Sequence, residues 1–198
     1  MKILILTLIS FISGSIPFSV LTGYVLLDKD IRNFRDGNPG AGNAWIAGGW
    51  ISGIPATILD FSKGFIPVFI SIYKFEISGW ALVLIALSPI LAHAFSPFLK
   101  FKGGKAVAAT FGVWTALGSL HISLILAIFI GIIFILQSED SWSIIMGMFL
   151  FLFYLFIQMK DIYITSICIG NIVILIVKHR YFMKNGMRLR PYIKKIFR

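Results

Sequence analysis

Long apolar stretches, separated by short polar, glycine-rich or basic segments, make up nearly the whole chain. Residues 122–136, 143–157 and 162–177 contain no charged side chain. Stretches of this kind predict helices that cross a bilayer, because hydrocarbon offers no partner to backbone amides and a helix satisfies them internally. The pattern predicts spans over roughly 3–27, 54–73, 80–98, 106–118, 120–136, 143–158 and 162–177. The stretch 106–136 reads in two ways: as one long span, or as two short helices divided near Gly118, Ser119 and His121.

Positive charge chooses between them. Basic residues gather in 28–43 (Lys29, Arg32, Arg35), in 99–105 (Lys100, Lys102, Lys105) and in the tail. The tail carries Lys178, Arg180, Lys184, Arg188, Arg190, Lys194, Lys195 and Arg198 and no acid. Such segments favour the cytoplasmic side. A single span over 106–136 puts the tail outside, whereas the divided version keeps all three basic segments inside. The expected fold class is therefore an all-α integral membrane protein. It is a bundle of about seven transmembrane helices, N-terminus outside and C-terminus cytoplasmic. Residues 1–198 form a single transmembrane domain with a short basic cytoplasmic tail from about 178. Only Lys2, Lys74 and Lys160 then lie outside, and Lys63 lies within a span. Lys2, the apolar run after it and Ser13-Gly14-Ser15 resemble a cleaved leader. The run continues to Leu27, long enough to span, so it is read as the first helix.

Composition agrees. The chain is 58% hydrophobic with mean hydropathy +0.92, well beyond a soluble domain. Its net charge of +10 sits mostly at membrane boundaries, which argues against nucleic-acid binding. Adhesion of the tail to anionic headgroups and help in binding an anionic substrate both fit it. The single cysteine, Cys168, lies mid-span and reads as a packing residue. No Cys/His cluster or carboxylate set has metal-ligand spacing, and no dinucleotide fingerprint occurs.

Against this apolar background a few polar features carry the chemistry. Phe101-Lys102-Gly103-Gly104-Lys105 lies between two apolar stretches. Its glycines can turn several amides toward one point and its lysines add charge, which suits an anion cradle; a plain basic turn is the other reading. The nucleotide phosphate-loop pattern does not fit, since Leu99 and Ala106 occupy the positions that need Gly and Ser or Thr. Asp36-Gly37-Asn38-Pro39-Gly40-Ala41-Gly42-Asn43 is a second glycine-rich segment with amides to offer. Asp60 and Lys63 are three apart on one helix face and are expected to pair inside the bundle. His93 and Lys178-His179-Arg180 complete the set. All but the Asp60–Lys63 pair converge on the expected cytoplasmic face, and a phosphate-handling site at the membrane surface is the reading that remains.

These segments also carry a resemblance. Gly14-Ser15-Ile16-Pro17-Phe18, the loop 36–43, Leu59-Asp60-Phe61-Ser62-Lys63-Gly64, His93 with 98–108, and His179-Arg180 occur in one order along the chain. They resemble the motifs of the bacterial membrane-bound acyl-phosphate:glycerol-3-phosphate acyltransferases, the PlsY family. Those motifs include Ser-Gly-Asn-x-Gly-Ala-Thr-Asn, Asp-x-x-Lys-Gly, His…Phe-Lys-Gly-Gly-Lys-Gly-Val-Ala and His-Arg-Glu-Asn. The resemblance implies a seven-helix, N-out architecture. It also implies transfer of a fatty acyl group from acyl phosphate to the 1-hydroxyl of glycerol 3-phosphate, giving lysophosphatidic acid and phosphate without a cofactor. Partners would be acyl phosphate, a small polar acceptor and membrane lipids. The site would face the cytoplasm from the bacterial cytoplasmic membrane. Lys105, His93, His179 and Asp36 fall at candidate catalytic positions. Asn38, Gly40, Asn43, Lys102, Gly103, Gly104 and Arg180 fall at substrate-binding ones, and Asp60 and Lys63 form a structural pair.

The chain departs from the pattern at several positions. Asp36 replaces the loop serine, Gly42 the threonine, Ile46 (beside Trp45) a phosphate-binding arginine, and Phe182 the C-terminal asparagine. Each removes a phosphate-binding group, and Asp36 adds negative charge. The purely structural reading of Asp36 is a pair with Arg32 or Arg35 in the loop. Three functions fit: the acyl transfer just described, an acyltransferase with a non-anionic acceptor recognised by Asp36, and a non-catalytic lipid-binding relative.

Overall fold

A computed structural model describes residues 1–181, 183 and 186–196, the side chains of the last three excepted. Phe182, Lys184 and Arg198 lie outside the described residues, as do the side chains of Lys194 and Lys195. Two compact units divide the chain, Met1–Ser119 and Leu120–Arg198.

The first unit holds α1 (Lys2–Ser15), α2 (Phe18–Leu27), α3 (Ala41–Gly48), α4 (Trp50–Tyr73), α5 (Gly79–Ala94) and the first part of α6 (Val107–Leu136). The predicted span 3–27 is interrupted at Ile16-Pro17: proline lacks an amide hydrogen, and α1 ends on Ile16 in an extended conformation. α1 packs on α5 and α4, and α2 and α3 on α4. α4 lies against the start of α6, where side chains on Gly64 or Gly112 would collide with the carbonyls of Ala109 and Phe61. The span predicted over 80–98 ends sooner, at Ala94, and a single 3-10 turn (Pro97–Leu99) follows.

Inside α6 the backbone leaves the helical region at Gly118 (φ −135°, ψ 19°) and Ser119 (φ 66°, ψ 178°). The break falls at the Gly118-Ser119 step where the divided reading of 106–136 put it.

The second unit holds the remainder of α6, α7 (Asp140–Gln158), α8 (Ile162–His179) and the short α9 (Pro191–Ile196). Gly147 of α7 sits closely on Ile130 of α6. The tail folds back on the end of α6. Leu189 bridges Gln137, and Arg190 donates to the carbonyls of Phe134 (2.8 Å) and Gln137 (3.2 Å). Its guanidinium lies 4.4 Å from the Phe134 ring centroid.

Among the described residues six helical stretches are long and apolar enough to cross a membrane, with α1–α2 and α6 each taken as one. Many of their large apolar side chains are exposed, including Leu4, Ile58, Leu84, Ile128, Phe153 and Ile169, as expected where the outer surface meets lipid instead of water.

Candidate active site

The segment between α2 and α3 is rigidified from within. Asp30 caps the 3-10 turn Ile31–Asn33 by accepting from the Arg32 amide at 2.9 Å. The Arg32 guanidinium grips the same carboxylate at 2.7 Å, and Tyr24 donates to it at 2.9 Å. The hydrogen bonds from Arg32 hold the Asp30 carboxyl well below the usual carboxylate range, despite burial pushing it up. Ile31 plugs a cluster formed by Val20, Ala44 and Ala56. Beyond it, Asp36 Oδ1 accepts from the Asn38 amide (3.2 Å), Asn38 Oδ1 accepts from the Gly40 amide (3.0 Å), and buried Asn43 donates to the Phe34 carbonyl (2.9 Å). The loop's asparagines thus spend side-chain groups on the loop's own backbone, the local pattern these residues favour in turns.

The second loop is folded against His93. The Gly104 amide donates to the His93 carbonyl at 3.0 Å. A side chain on Gly103 would strike that carbonyl, and one on Gly104 would strike the His93 Nε2 atom. Only glycine fits at either place. The chain turns into this loop through left-handed Lys100 (φ 51°) and Phe101 (φ 61°), and leaves through left-handed Ala106 (φ 61°). Lys102 is exposed on the turn.

The two loops meet. Lys105 Nζ lies 2.8 Å from Asp36 Oδ2, with about a fifth of each side chain exposed (20% and 19%). A Cβ on Gly40 would come within 3.9 Å of Gly104 Cα and 4.0 Å of the Lys105 nitrogen. Burial pushes the Asp36 carboxyl up, but the hydrogen bond and charge of Lys105 outweigh it and hold the group below the ordinary value, with a smaller contribution from Arg35. Of the two loop partners expected for Asp36, Arg32 is committed to Asp30 and Arg35 adds its charge, while Lys105 approaches Asp36 from the other loop.

Beneath His93 lies the predicted structural pair. Lys63 Nζ is 2.9 Å from Asp60 Oδ1 and donates to the Ile16 carbonyl at 2.9 Å, close to the α1–α2 interruption. Ser19 donates to Asp60 Oδ2, and His93 Nδ1 is 3.9 Å from Asp60 Oδ1. Both charged groups are almost fully buried, so mutual neutralisation is what makes their burial tolerable. Ser19 was absent from the expected set, although a serine in an apolar helix was the available signal.

The first unit therefore brings together Asp36, Asn38, Gly40, Asn43, His93, Gly103, Gly104 and Lys105, with Asp60 and Lys63 behind His93. His179 and Arg180 belong to the second unit. There His179 is fully buried, with Nδ1 2.9 Å from the Ser141 hydroxyl, and Arg180 is exposed. Ser141 had not been singled out. At the remaining divergent positions, Ile46 is half exposed, a side chain on Gly42 would meet nothing within 4 Å, and Trp45 packs over Gly53 while donating to Thr57 at 3.0 Å. No group of three or more His, Cys, Asp or Glu residues fit to hold a metal ion occurs among the described residues.

Comparison with known proteins gives these features a context. The family model described as glycerol-3-phosphate acyltransferase matches residues 4–188. Glycerol-3-phosphate acyltransferase 1 of Thermotoga maritima is 36% identical over 95% of this chain and 96% of its own. The Macrococcus caseolyticus enzyme is 34% identical over 90% of each. Among solved structures, the crystal structure of PlsY (YgiH), an integral membrane glycerol 3-phosphate acyltransferase, superposes in its glycerol 3-phosphate form with a TM-score of 0.84. It is 28% identical, and all of each chain is covered. Its lysophosphatidic acid form gives 0.82. By sequence and by fold, this chain belongs to the glycerol-3-phosphate acyltransferase family.

Proposed function

We propose that this protein transfers a fatty acyl group from acyl phosphate to the 1-hydroxyl of glycerol 3-phosphate, at the cytoplasmic surface of a bacterial membrane. The observation that carries the reading is the seating of the Lys105 ammonium on an anionic oxygen at the junction of two glycine-rich loops. A cation fixed by so rigid a backbone is suited to a phosphate oxygen.

In the reaction the acceptor hydroxyl attacks the acyl carbon. The new carbon–oxygen bond forms as the bond to phosphate breaks, and the hydroxyl proton is accounted for in the products as hydrogen phosphate. Holding both partners together removes much of the entropic barrier, and a fixed cation beside the developing negative charge lowers the rest. Lys105 is read as that cation. His93, buried with its carbonyl bound to the Gly104 amide, is read as the residue that positions the loop. His179 is retained as a candidate catalytic residue and Arg180 as a candidate substrate ligand on the strength of the motif alone. The apolar faces of the helices suit an acyl chain, so that only head groups need to meet the polar loops.

The orientation is likewise a proposal. Its support is the break at Gly118-Ser119, which lets the basic segments lie on one side. Within the second unit, the end of α6, the start of α7 and the tail already come together. A non-anionic acceptor and a non-catalytic role are not favoured by relatives named as glycerol-3-phosphate acyltransferases.

The test is a purified-protein assay in lipid vesicles with acyl phosphate and a panel of acceptors, reading lysophosphatidic acid and released phosphate. Product with glycerol 3-phosphate is expected. Release only with a neutral acceptor, or use of acyl-CoA instead of acyl phosphate, would overturn the reading.

A further inference from the structure

Asp36 stands where relatives of the resembled pattern carry serine, and its carboxylate is directed at the one cation that the proposed chemistry needs most. We infer that Asp36 is a specificity-determining internal anion: it occupies Lys105 in the resting enzyme, and an acceptor's phosphate must displace it to bind. This inference rests on the assignment of Lys105 to substrate phosphate.

The geometry supports displacement over a permanent bridge. Asp36 Oδ2 is 2.8 Å from Lys105 Nζ, so a phosphate oxygen taking that position and the carboxylate exclude each other. Both side chains keep about a fifth of their surface exposed, so solvent and solutes can reach the pair. The other carboxylate oxygen accepts from the Asn38 amide at 3.2 Å, a local contact that holds the backbone turn. By contrast, the Asp60–Lys63 pair is buried on every side and carries extra bonds to Ser19 and the Ile16 carbonyl. One ion pair is built as scaffold; the other is built at an accessible loop junction.

The consequence is quantitative. When a binding-competent state is populated only in part, the apparent dissociation constant rises by the inverse of that fraction. If Asp36 covers Lys105 about nine-tenths of the time, acceptor binding is weakened about tenfold, or about 1.4 kcal/mol. The same factor applies to every ligand that must take Lys105 from Asp36, so such acceptors need about tenfold higher concentrations, whereas a ligand that does not use Lys105 is unaffected.

Asp36→Asn separates charge from shape, because the asparagine oxygen can still accept from the Asn38 amide. Asp36→Ser restores the resembled residue, and Asp36→Glu keeps the charge. The experiment measures steady-state transfer to glycerol 3-phosphate together with calorimetric binding of inorganic phosphate to each purified variant. The expected result is a KM for glycerol 3-phosphate about tenfold lower in Asp36→Asn and Asp36→Ser, phosphate binding tightened by a similar factor, and little change in Asp36→Glu. In a Lys105→Ala background, Asp36→Asn should no longer tighten phosphate binding. An unchanged or higher KM with unchanged phosphate affinity overturns the inference, as does a loss of kcat in Asp36→Asn, which would make Asp36 a participant in the chemical step. Absence of transfer to glycerol 3-phosphate by the unaltered protein would refute the proposed function instead, and the phosphate titration would still decide the role of Asp36.

Discussion

The Gly104 amide donates to the His93 carbonyl at 3.0 Å, and the His93 ring fills the space where a side chain on Gly104 would stand. The end of α5 therefore serves as the mould on which the lysine loop is cast. Gly104→Ala must push the loop away from His93, and displacement of a positioning element by about 1 Å can cost about 100-fold in rate. We expect a loss of that order in kcat/KM, with an unaltered circular dichroism spectrum. Near-normal turnover would show that the loop's fit to His93 is unnecessary.

Lys105→Ala should abolish transfer while the protein still folds, since the side chain is partly exposed at a loop junction. Removing a single group that stabilises developing charge typically costs about 100- to 1,000-fold. The check is phosphate release by purified variant, alongside its melting temperature. A normal rate would reduce the loop to a basic turn.

Ala106 holds φ at 61°, where the resembled motif has glycine. Left-handed backbone costs an alanine about 1–2 kcal/mol, against which glycine loses about 0.4–1 kcal/mol through the unfolded chain. Ala106→Gly should therefore stabilise by about 0.5 kcal/mol, and Ala106→Val should destabilise. Thermal unfolding in detergent reads both; a lower midpoint for the glycine variant contradicts the strain.

The folded carboxyl of Asp36 lies below its ordinary value, so the sign of its pH dependence follows. A depressed acid contributes stability above its unfolded pKa, about 3.9, and loses it as pH falls through the lower folded value. The difference in melting temperature between the unaltered protein and Asp36→Asn should thus be flat from pH 5 to pH 8, and kcat/KM should show no acid limb from this group in that range. A limb above pH 5 that disappears in Asp36→Asn would mean that the carboxyl is raised above its ordinary value, opposite to the direction given by its contact with Lys105.

Orientation is open to labelling. With Cys168 replaced by alanine, Lys102→Cys and Arg188→Cys should both react with an impermeant reagent only from the cytoplasmic side, and Lys74→Cys only from outside. All three native side chains are exposed. Opposite labelling at positions 102 and 188 would mean that 107–136 crosses the membrane once.

Much of this protein is determined by its sequence alone. Uninterrupted apolar stretches dictate helices, which satisfy their own backbone in hydrocarbon where an open strand does not, and the divided reading of 106–136 located the kink found at Gly118 and Ser119. The glycine-rich loops and the i,i+3 spacing of Asp60 and Lys63 announced themselves as polar exceptions in an apolar chain. What only tertiary structure decided is which polar groups face each other. Sequence proximity favoured Arg32 or Arg35 as the partner of Asp36; packing of the loop before α3 on the loop before α6 brought Lys105 to it, from a position far along the chain, while Arg32 turned to Asp30 and Arg35 adds its charge. Likewise Ser19, a polar exception within α2 whose partner the segment does not name, donates to Asp60 because the interruption at Ile16-Pro17 lets α2 lie along α4. Local patterning sets hydrogen bonding and solvent preference within a segment. Partners distant in the chain are chosen by the packing of whole helices, and a single segment carries no record of that choice.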